Sequence, residues 1–387
     1  MATINLNPYF AGNHRLGDRT LDGEEYYYFL PNYINGTWKW SDSELNVLLE
    51  KASGELGSLN AFSDLIPNVD IYISMHIATE ANKSNRIEGT KTSIEEDFMA
   101  AEDLAPELRD DQQEVQNYIN AMHYGIDRIS KDNFPLCNRL LKEMHSILLQ
   151  GVRGEFKTPG EWRKSQNWIG GTKPSDAVFV PPNQIHLPDL LSDWEKFLNN
   201  EDRNVPHLIK AAILHYQFET IHPFQDGNGR LGRVMIPLYL LDKKLLTKPC
   251  FYISDFFEKH RTEYYDALTR VRINQDMIGW IKFFLNATVS TAQSAKNKFK
   301  KVTEYVKNLE ADALKLGGRS ENVLAILNAF YDNPVQNAKT ISYITGIPRG
   351  TTENTLRRLY DGGLLSEITG YSRNRIYVLY DYLRIFE

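Results

Sequence analysis

The residues best able to do chemistry stand together in one stretch, His222-Pro223-Phe224-Gln225-Asp226-Gly227-Asn228-Gly229-Arg230-Leu231-Gly232-Arg233. Glycines on either side of Asn228 free the backbone to aim several N–H groups at one point. A helix beginning at or near Arg230 adds its first amides and the positive end of its dipole. Such a nest takes an anion, and phosphate fits it best. Arg230 and Arg233, three apart, fall on one helical face and can grip the same polyphosphate. Asp226 would repel that polyphosphate unless a divalent cation lay between them, a role that Mg²⁺ fills with one carboxylate plus phosphate oxygens. His222 stands four residues before Asp226, its backbone pushed towards an extended conformation by Pro223. Its imidazole can accept a proton from an attacking hydroxyl near neutrality. The set points to attack of a hydroxyl on a metal-bound nucleotide phosphate. It is not a P-loop, because no GKS/T is present and no strand precedes the glycines.

Helices must position this stretch. Apolar runs at 204–221 and 230–241 flank it, and Pro237 should kink the second. Upstream, Ser41 or Ser43 caps a helix through Ala52, and Asn68 or Asp70 caps another from Ile71 to about Ile87. Gly89 is placed as a helix stop, and Ser93 with Glu96 makes a capping box. Further helices are expected at 110–130, 134–150, 187–200, 259–272 and 275–310. Between 151 and 163 the chain is turn-rich, and the stretch to 182 follows it. There a hairpin is expected, with strands at 167–169 and 177–180 around Gly170-Gly171. Residues 1 to about 40, rich in Gly, Asn, Pro and aromatics, read as an extended arm packed on the body.

With 387 residues, 42% apolar and 24% charged, the composition is that of a soluble globular protein of two or three domains. No apolar run is long enough for a bilayer, so no membrane partner is expected. The start, MATINLNPYF, has neither a basic n-region nor an apolar h-region, and the expected compartment is cytoplasmic. Cys137 and Cys250 are too few for a disulfide framework and read as small buried residues. A net charge of −6 argues against nucleic-acid binding by the whole surface, though a local patch stays open.

The central stretch resembles the signature of the Fic (filamentation induced by cAMP) family, HPFx[DE]GNGRxxR, and matches it at every specified position. Arg163-Lys164-Ser165-Gln166 followed by Asn167-Trp168-Ile169-Gly170-Gly171, with Phe179-Val180-Pro181-Pro182, is similar to the family's flap hairpin. Tyr252-Ile253-Ser254 and Tyr264-Tyr265 are similar to its nucleotide side. The resemblance, which spans about 70–290, implies a mainly α Fic-type helical bundle with a short β-hairpin flap. It also implies transfer of AMP from ATP to a Ser, Thr or Tyr hydroxyl of a target protein, with release of pyrophosphate. By motif position His222 is the general base, Asp226 the Mg²⁺ ligand, and Phe224 the anchor of the loop. Gly227, Asn228, Gly229, Arg230, Leu231, Gly232 and Arg233 form the ATP-binding stretch, with Tyr264 and Tyr265 beside the adenosine. Asn167, Trp168, Ile169 and Gly170 would clamp the target by strand-like pairing. Where relatives place an Asn beyond the tyrosine pair, this chain has Arg272. Family members that phosphorylate depart from the motif at the positions of Gly229 and Arg233, so both residues here favour nucleotidyl transfer.

Ser84-Asn85-Arg86-Ile87-Glu88-Gly89 resembles the family's [ST]xxxE[GN] inhibitory helix. Ser84 and Glu88, four apart, share a helical face. The resemblance implies that Glu88, with Ser84 and Gly89 as motif partners, pairs with Arg233 and blocks the γ-phosphate position.

Gly317-Gly318 breaks the chain after a lysine-rich run. Beyond it, three helical runs (321–332, 338–345, 349–360) and two strand-like segments (364–368, 375–379) have the layout of a C-terminal winged helix-turn-helix domain. The domains are therefore expected as 1–60 (arm and first helix), 61–130 (helices with the inhibitory segment), 131–316 (Fic core) and 317–387 (winged helix). The run 349–360 is the candidate recognition helix, with Thr351, Thr352, Asn354, Arg357 and Arg358. Arg373 and Arg375 in the wing could add cationic contacts. Residues 320–387 carry seven Lys/Arg against seven Asp/Glu, and a neutral balance disfavours DNA. The expected partners are thus a hydroxyl-bearing target protein and a second copy of the chain, with DNA less favoured. Two rival readings use the same residues: a DNA-binding regulator or toxin–antitoxin component with a nucleotide-sensing core, and a de-AMPylase removing AMP.

Overall fold

The computed structural model describes residues 3–20, 22–66, 69–200, 205–371 and 374–387. Asn68, a candidate cap, and Arg373, a candidate wing contact, lie outside them. The chain is mainly helical and forms two compact units, Met1–Asn60 with Asn117–Ala292, and Ala61–Gln116 with Gln293–Glu387. Among the described residues no helix is long and apolar enough to cross a membrane.

The first unit is built around the helix His207–Ile221, buried from Leu208 to Ile221. A helix apolar on every face can only be a core element. Packed on it are Leu187–Asn199 on one side and Asn228–Asp242 on another. Trp194 Nε1 donates to Leu214 O at 3.1 Å and Trp280 Nε1 to Ala212 O at 2.8 Å, so the large aromatics around this helix are satisfied as well as buried. Pro237 lies inside Asn228–Asp242, which remains one helix. The N-terminal arm is extended as expected. Thr3–Asn5 pairs in parallel with Thr37–Lys39, and Gly12–Leu16 pairs antiparallel with Tyr27–Pro31.

In the second unit the helix Val69–Glu88 packs on Ser320–Asp332 and Tyr380–Phe386. Here His76 sits 4.7 Å from the Phe299 ring and 5.2 Å from the Phe386 ring. Val69–Glu88 ends at Gly89, whose φ of 108° is the reason for a glycine stop. The capping box at Ser93 forms in full, Ser93 N donating to Glu96 Oε2 at 2.7 Å and Glu96 N to Ser93 Oγ at 3.2 Å. Beyond Gly317 and Gly318, both at positive φ, come the helices Ser320–Asp332, Ala338–Thr345 and Arg349–Asp361. A three-stranded antiparallel sheet joins them. Ile376–Val378 is its middle strand, between Ser366–Glu367 and Val335–Asn337, the last of which the sequence pattern did not reveal.

Candidate active site

The loop between His207–Ile221 and Asn228–Asp242 turns at two left-handed joints. His222 has φ 49° and ψ 61°, and its amide donates back to Phe218 O at 2.9 Å. This corrects the extended backbone expected before Pro223: proline forbids continuing the right-handed helix, and the helix end takes a left-handed cap instead. Such a conformation is strained for a residue with a side chain, a condition that collects at functional sites. The second joint is Gly227, with φ 75° and ψ 5°, directly before Asn228–Asp242. A Cβ there would meet nothing closer than 3.4 Å, so conformation rather than space calls for glycine. The helix thus starts at Asn228, two residues earlier than expected from sequence. Gly229 lies in its first turn, where the amides of residues 228–230 have no partner within the helix.

Between the joints the loop is tied to itself by Asn228. Phe224 N donates to Asn228 Oδ1, and Asn228 Nδ2 donates to Phe224 O, each at 2.9 Å. Phe224, the expected anchor, is fully buried. It stacks on the His145 ring at 3.7 Å between centroids and 11° between planes, with Trp162 at 4.5 Å. His145 is itself fixed. Gly160 N donates to its Nδ1 at 2.8 Å, so the ring proton is on Nε2, which donates to Asp226 O at 3.0 Å. Burial pushes this imidazole down to about 4, which keeps it neutral.

Arg163 holds the other side of the loop. Its guanidinium donates to four backbone carbonyls, those of His222 (2.9 Å), Ser165 (3.1 Å), Ile221 (3.4 Å) and Pro182. Its own amide donates to Pro223 O at 2.9 Å. Burial pushes the group down to about 10, with Tyr26 opposing, and at neutral pH it stays a cation. Asn167 adds two donations, to His222 O at 3.2 Å and Phe224 O at 2.9 Å. The side chain of this flap residue is therefore buried and holds the His222–Asn228 loop. His145 and Trp162 carried no signal in the sequence, and Arg163 stood there as part of the flap-like stretch, its clamping role not visible.

What remains open to chemistry is compact. Asp226 is half-exposed; its Oδ1 accepts from Gly227 N at 2.6 Å and lies 3.6 Å from Arg230 Nη2. His222 is partly exposed, with Nδ1 3.3 Å from Glu219 O, a carbonyl that can only accept from it. An imidazole, a carboxylate and a helix N-terminus with Arg230 in its first turn thus share one loop.

Residues 135–240 match the Fic/DOC family, and residues 46–127 match the Fic/DOC family N-terminal segment. The chain carries a Fic domain. It is 32% identical over 184 residues to protein adenylyltransferase Fic of Aedes aegypti, covering 47% of this chain and 34% of that protein. A probable protein adenylyltransferase of Aquifex aeolicus is 38% identical over 91 residues, 24% of this chain and 27% of the relative. The matched stretch is therefore about a third of the length of these curated relatives. The fold is shared with a Fic family protein from Desulfovibrio desulfuricans, at a TM-score of 0.53 and 21% identity over 88% of this chain and 96% of that one.

Other motif residues of the Fic domain fall into two groups. Leu231 is core, and Gly232 faces the neighbouring helix, where a Cβ would press on the Glu219 carboxylate. Arg230 and Arg233 are both buried. Tyr264 is buried too, its hydroxyl 2.9 Å from His215 Nε2, which leaves only Tyr265 of the pair partly open to solvent. In place of two strands, the flap has a single antiparallel bridge, Ile169 with Phe179. Gly170 and Gly171 turn the chain at φ 68° and 71°, so too few residues stay extended for a ladder. Trp168 and Ile169 are exposed at 39% and 38%. The Arg272 guanidinium lies 3.9 Å over the Phe179 ring, a cation–π contact in place of the family's asparagine. In the second unit Ser84 is buried while Glu88 and Gly89 are exposed.

Proposed function

We propose that this chain transfers AMP from ATP to a hydroxyl of a protein side chain and releases pyrophosphate. The observation that carries the reading is the clamped loop, which holds the His222 imidazole, the Asp226 carboxylate and a helix N-terminus in one fixed arrangement. The hydroxyl oxygen bonds the α-phosphorus, its proton passes to His222 Nε2, and the bond to the bridging oxygen of pyrophosphate breaks. The first-turn amides and Arg230 carry the phosphate charge, and Arg233 grips the terminal phosphates. The names of the curated relatives support the same chemistry.

Mg²⁺ belongs to this reading. Among the described residues no cluster of three or more His, Cys, Asp or Glu could hold a metal. One half-exposed carboxylate, Asp226, is the ligand set that Mg²⁺ uses when substrate phosphates and water complete its octahedron. The ion would neutralise phosphate charge. The target lies along Trp168, Ile169 and Gly170, whose backbone the single bridge leaves partly unpaired and open to a strand-like segment.

The same reading makes Glu88 a brake that pairs with Arg233 in the position of the γ-phosphate. In its support, Gly89 stops the helix so that Glu88 closes it with an exposed carboxylate, and Ser84 lies one turn back on the same face. Residues 317–387 are read as a winged helix domain, because two helices joined by a short turn are followed by a two-stranded wing.

The test is label transfer from α-labelled ATP with Mg²⁺, by the wild type, Glu88→Gly and His222→Ala. Glu88→Gly should raise labelling several-fold, and His222→Ala should lower it on the order of 10²–10⁴-fold. Full labelling by His222→Ala would overturn the mechanism. Equal labelling by wild type and Glu88→Gly would remove the brake alone.

A further inference from the structure

The C-terminal helices carry as many acidic as basic residues, but the structure sorts them. Lys339, Arg349, Arg357 and Arg375 line one groove of about 430 Å³, with Glu353 as the acid among its lining residues. Four cations less one anion leave a local charge of +3. Arg349, Glu353 and Arg357 are spaced four apart, so they form one stripe along the helix Arg349–Asp361. Glu353 is already engaged, 2.8 Å from Arg349 Nε. Arg358 departs from the groove. It donates to Thr355 Oγ1 at 3.2 Å and its guanidinium crowds Gly318.

Two of the other acids are engaged away from the groove. Glu367 accepts from the wing amides of Thr369 (2.8 Å) and Gly370 (3.1 Å), and Asp381 pairs with Arg384 at 3.1 Å on the last helix. Arg375 precedes the middle strand Ile376–Val378, and its Nε donates to Tyr371 O at 2.8 Å, which leaves the outer guanidinium nitrogens. Lys339 is exposed in the first turn of Ala338–Thr345.

We propose that this groove docks double-stranded DNA, with Arg349–Asp361 entering the major groove and Lys339 and Arg375 on the flanking phosphates. A helix of 10–12 Å diameter fits a major groove of about 12 Å. Thr351 and Asn354 are exposed on the same helix, polar groups suited to base edges and phosphates. The lining is dominated by fixed charge and amides, whereas the centres of protein–protein interfaces are depleted in charge. That favours a nucleic acid over an acidic protein segment. Four cations are few, so binding should be weak and largely independent of sequence, with a dissociation constant on the order of 10⁻⁴–10⁻⁶ M at physiological salt.

The experiment is fluorescence anisotropy of the full chain with a labelled 20-base-pair duplex, titrated with salt. Binding at low salt should fall with a log–log slope of about −2 to −4, the range from the two flanking contacts to all four cations, since each phosphate contact contributes about −0.9. Arg357→Glu with Arg375→Glu should weaken binding at least tenfold and flatten the slope, with the thermal unfolding midpoint unchanged. Glu353→Gln should tighten it. Absence of binding at low salt overturns the proposal, as does binding indifferent to the charge reversals. Polyglutamate displacing the duplex at equal charge concentration would reassign the groove to an acidic protein. Each outcome is independent of whether the Fic domain transfers AMP.

Discussion

From His222 to Asn228 almost every turn of the backbone is held by a buried side chain, whereas from Ile169 to Phe179 the two arms of the flap meet at one bridge. The flap's base is firm, since Gln166 Nε2 donates to Pro181 O at 2.8 Å and Asn167 reaches the catalytic loop. Its tip is tied at the surface. Asp176 Oδ1 accepts from Thr172 N at 2.9 Å and Lys173 N at 2.8 Å, and Glu24 takes Lys173 Nζ at 2.5 Å, but these groups are solvent-exposed and such contacts contribute little. On the proposed function, the difference follows from what each part must do. A base and a phosphate nest lose rate when they shift by an ångström. A segment that pairs with another protein's backbone needs open N–H and C=O groups and some freedom to adjust.

The contrast breaks most readily at Arg163. Arg163→Ala leaves four backbone carbonyls without their charged donor, and hydrogen bonds to charged groups are each worth about 1.5–3 kcal/mol. A loss of about 3 kcal/mol or more is expected in urea unfolding, with label transfer abolished. A variant with an unchanged midpoint would show that the loop is not clamped from this side.

His145 gives a pH-dependent version of the same test. Its folded pKa, about 4, is depressed below the ordinary value, so the unfolded chain binds more protons between about pH 4 and 6.5. Its contribution is intact above that window and is lost as pH falls through it, by about 3 kcal/mol in total. His145→Gln removes this titration. The variant should lose about 3 kcal/mol less than wild type between pH 7 and pH 4, as followed by chemical denaturation. The buried His215 and His76, both pushed down to about 3, titrate in both proteins and cancel in the difference. Coincident slopes would show that His145 is not held neutral by the fold.

Asn228→Asp is subtler. It can still accept from Phe224 N but faces Phe224 O with a carboxylate oxygen instead of a donor. The loop should shift rather than unfold, and transfer should fall on the order of 10²-fold with little change in ATP affinity. A loss confined to ATP binding would return Asn228 to the simple role of phosphate ligand.

Much of the fold was legible because it rests on local rules. The capping box at Ser93, the glycine stop at Gly89 and the helices around the site follow from residue type and spacing. The stretch from His222 to Arg233 also stood out by residue type and spacing, and it folds as one loop and helix start. What escaped was whatever depends on partners distant in sequence. The tie of Asn228 to Phe224 and the burial of the Tyr264 hydroxyl on His215 appear only once the chain is folded. The two-residue error at the start of Asn228–Asp242 has a similar origin, since glycine at 229 hides a helix start that the left-handed Gly227 sets. The charge pattern of the C-terminal helices is the sharpest case. A sum over residues 320–387 is zero, but Glu367 folds onto its own wing and Arg358 turns towards Gly318, so the face that remains is cationic.

The smallest effect tests the other half of the comparison. Trp168 is exposed at 39% on the hairpin arm that forms the bridge, and it supports nothing in the catalytic loop by hydrogen bonding among the described residues. Trp168→Ala should therefore change stability by about 0.5 kcal/mol or less, as expected for a surface substitution. If the flap only receives the acceptor, the loss should appear in KM for the protein acceptor, with kcat and the KM for ATP near wild type, because uniform binding is removed and transition-state contacts are not. A fall in kcat at saturating acceptor would mean that the flap takes part in setting the geometry at His222, and the division of labour between a rigid loop and an adaptable hairpin would not hold.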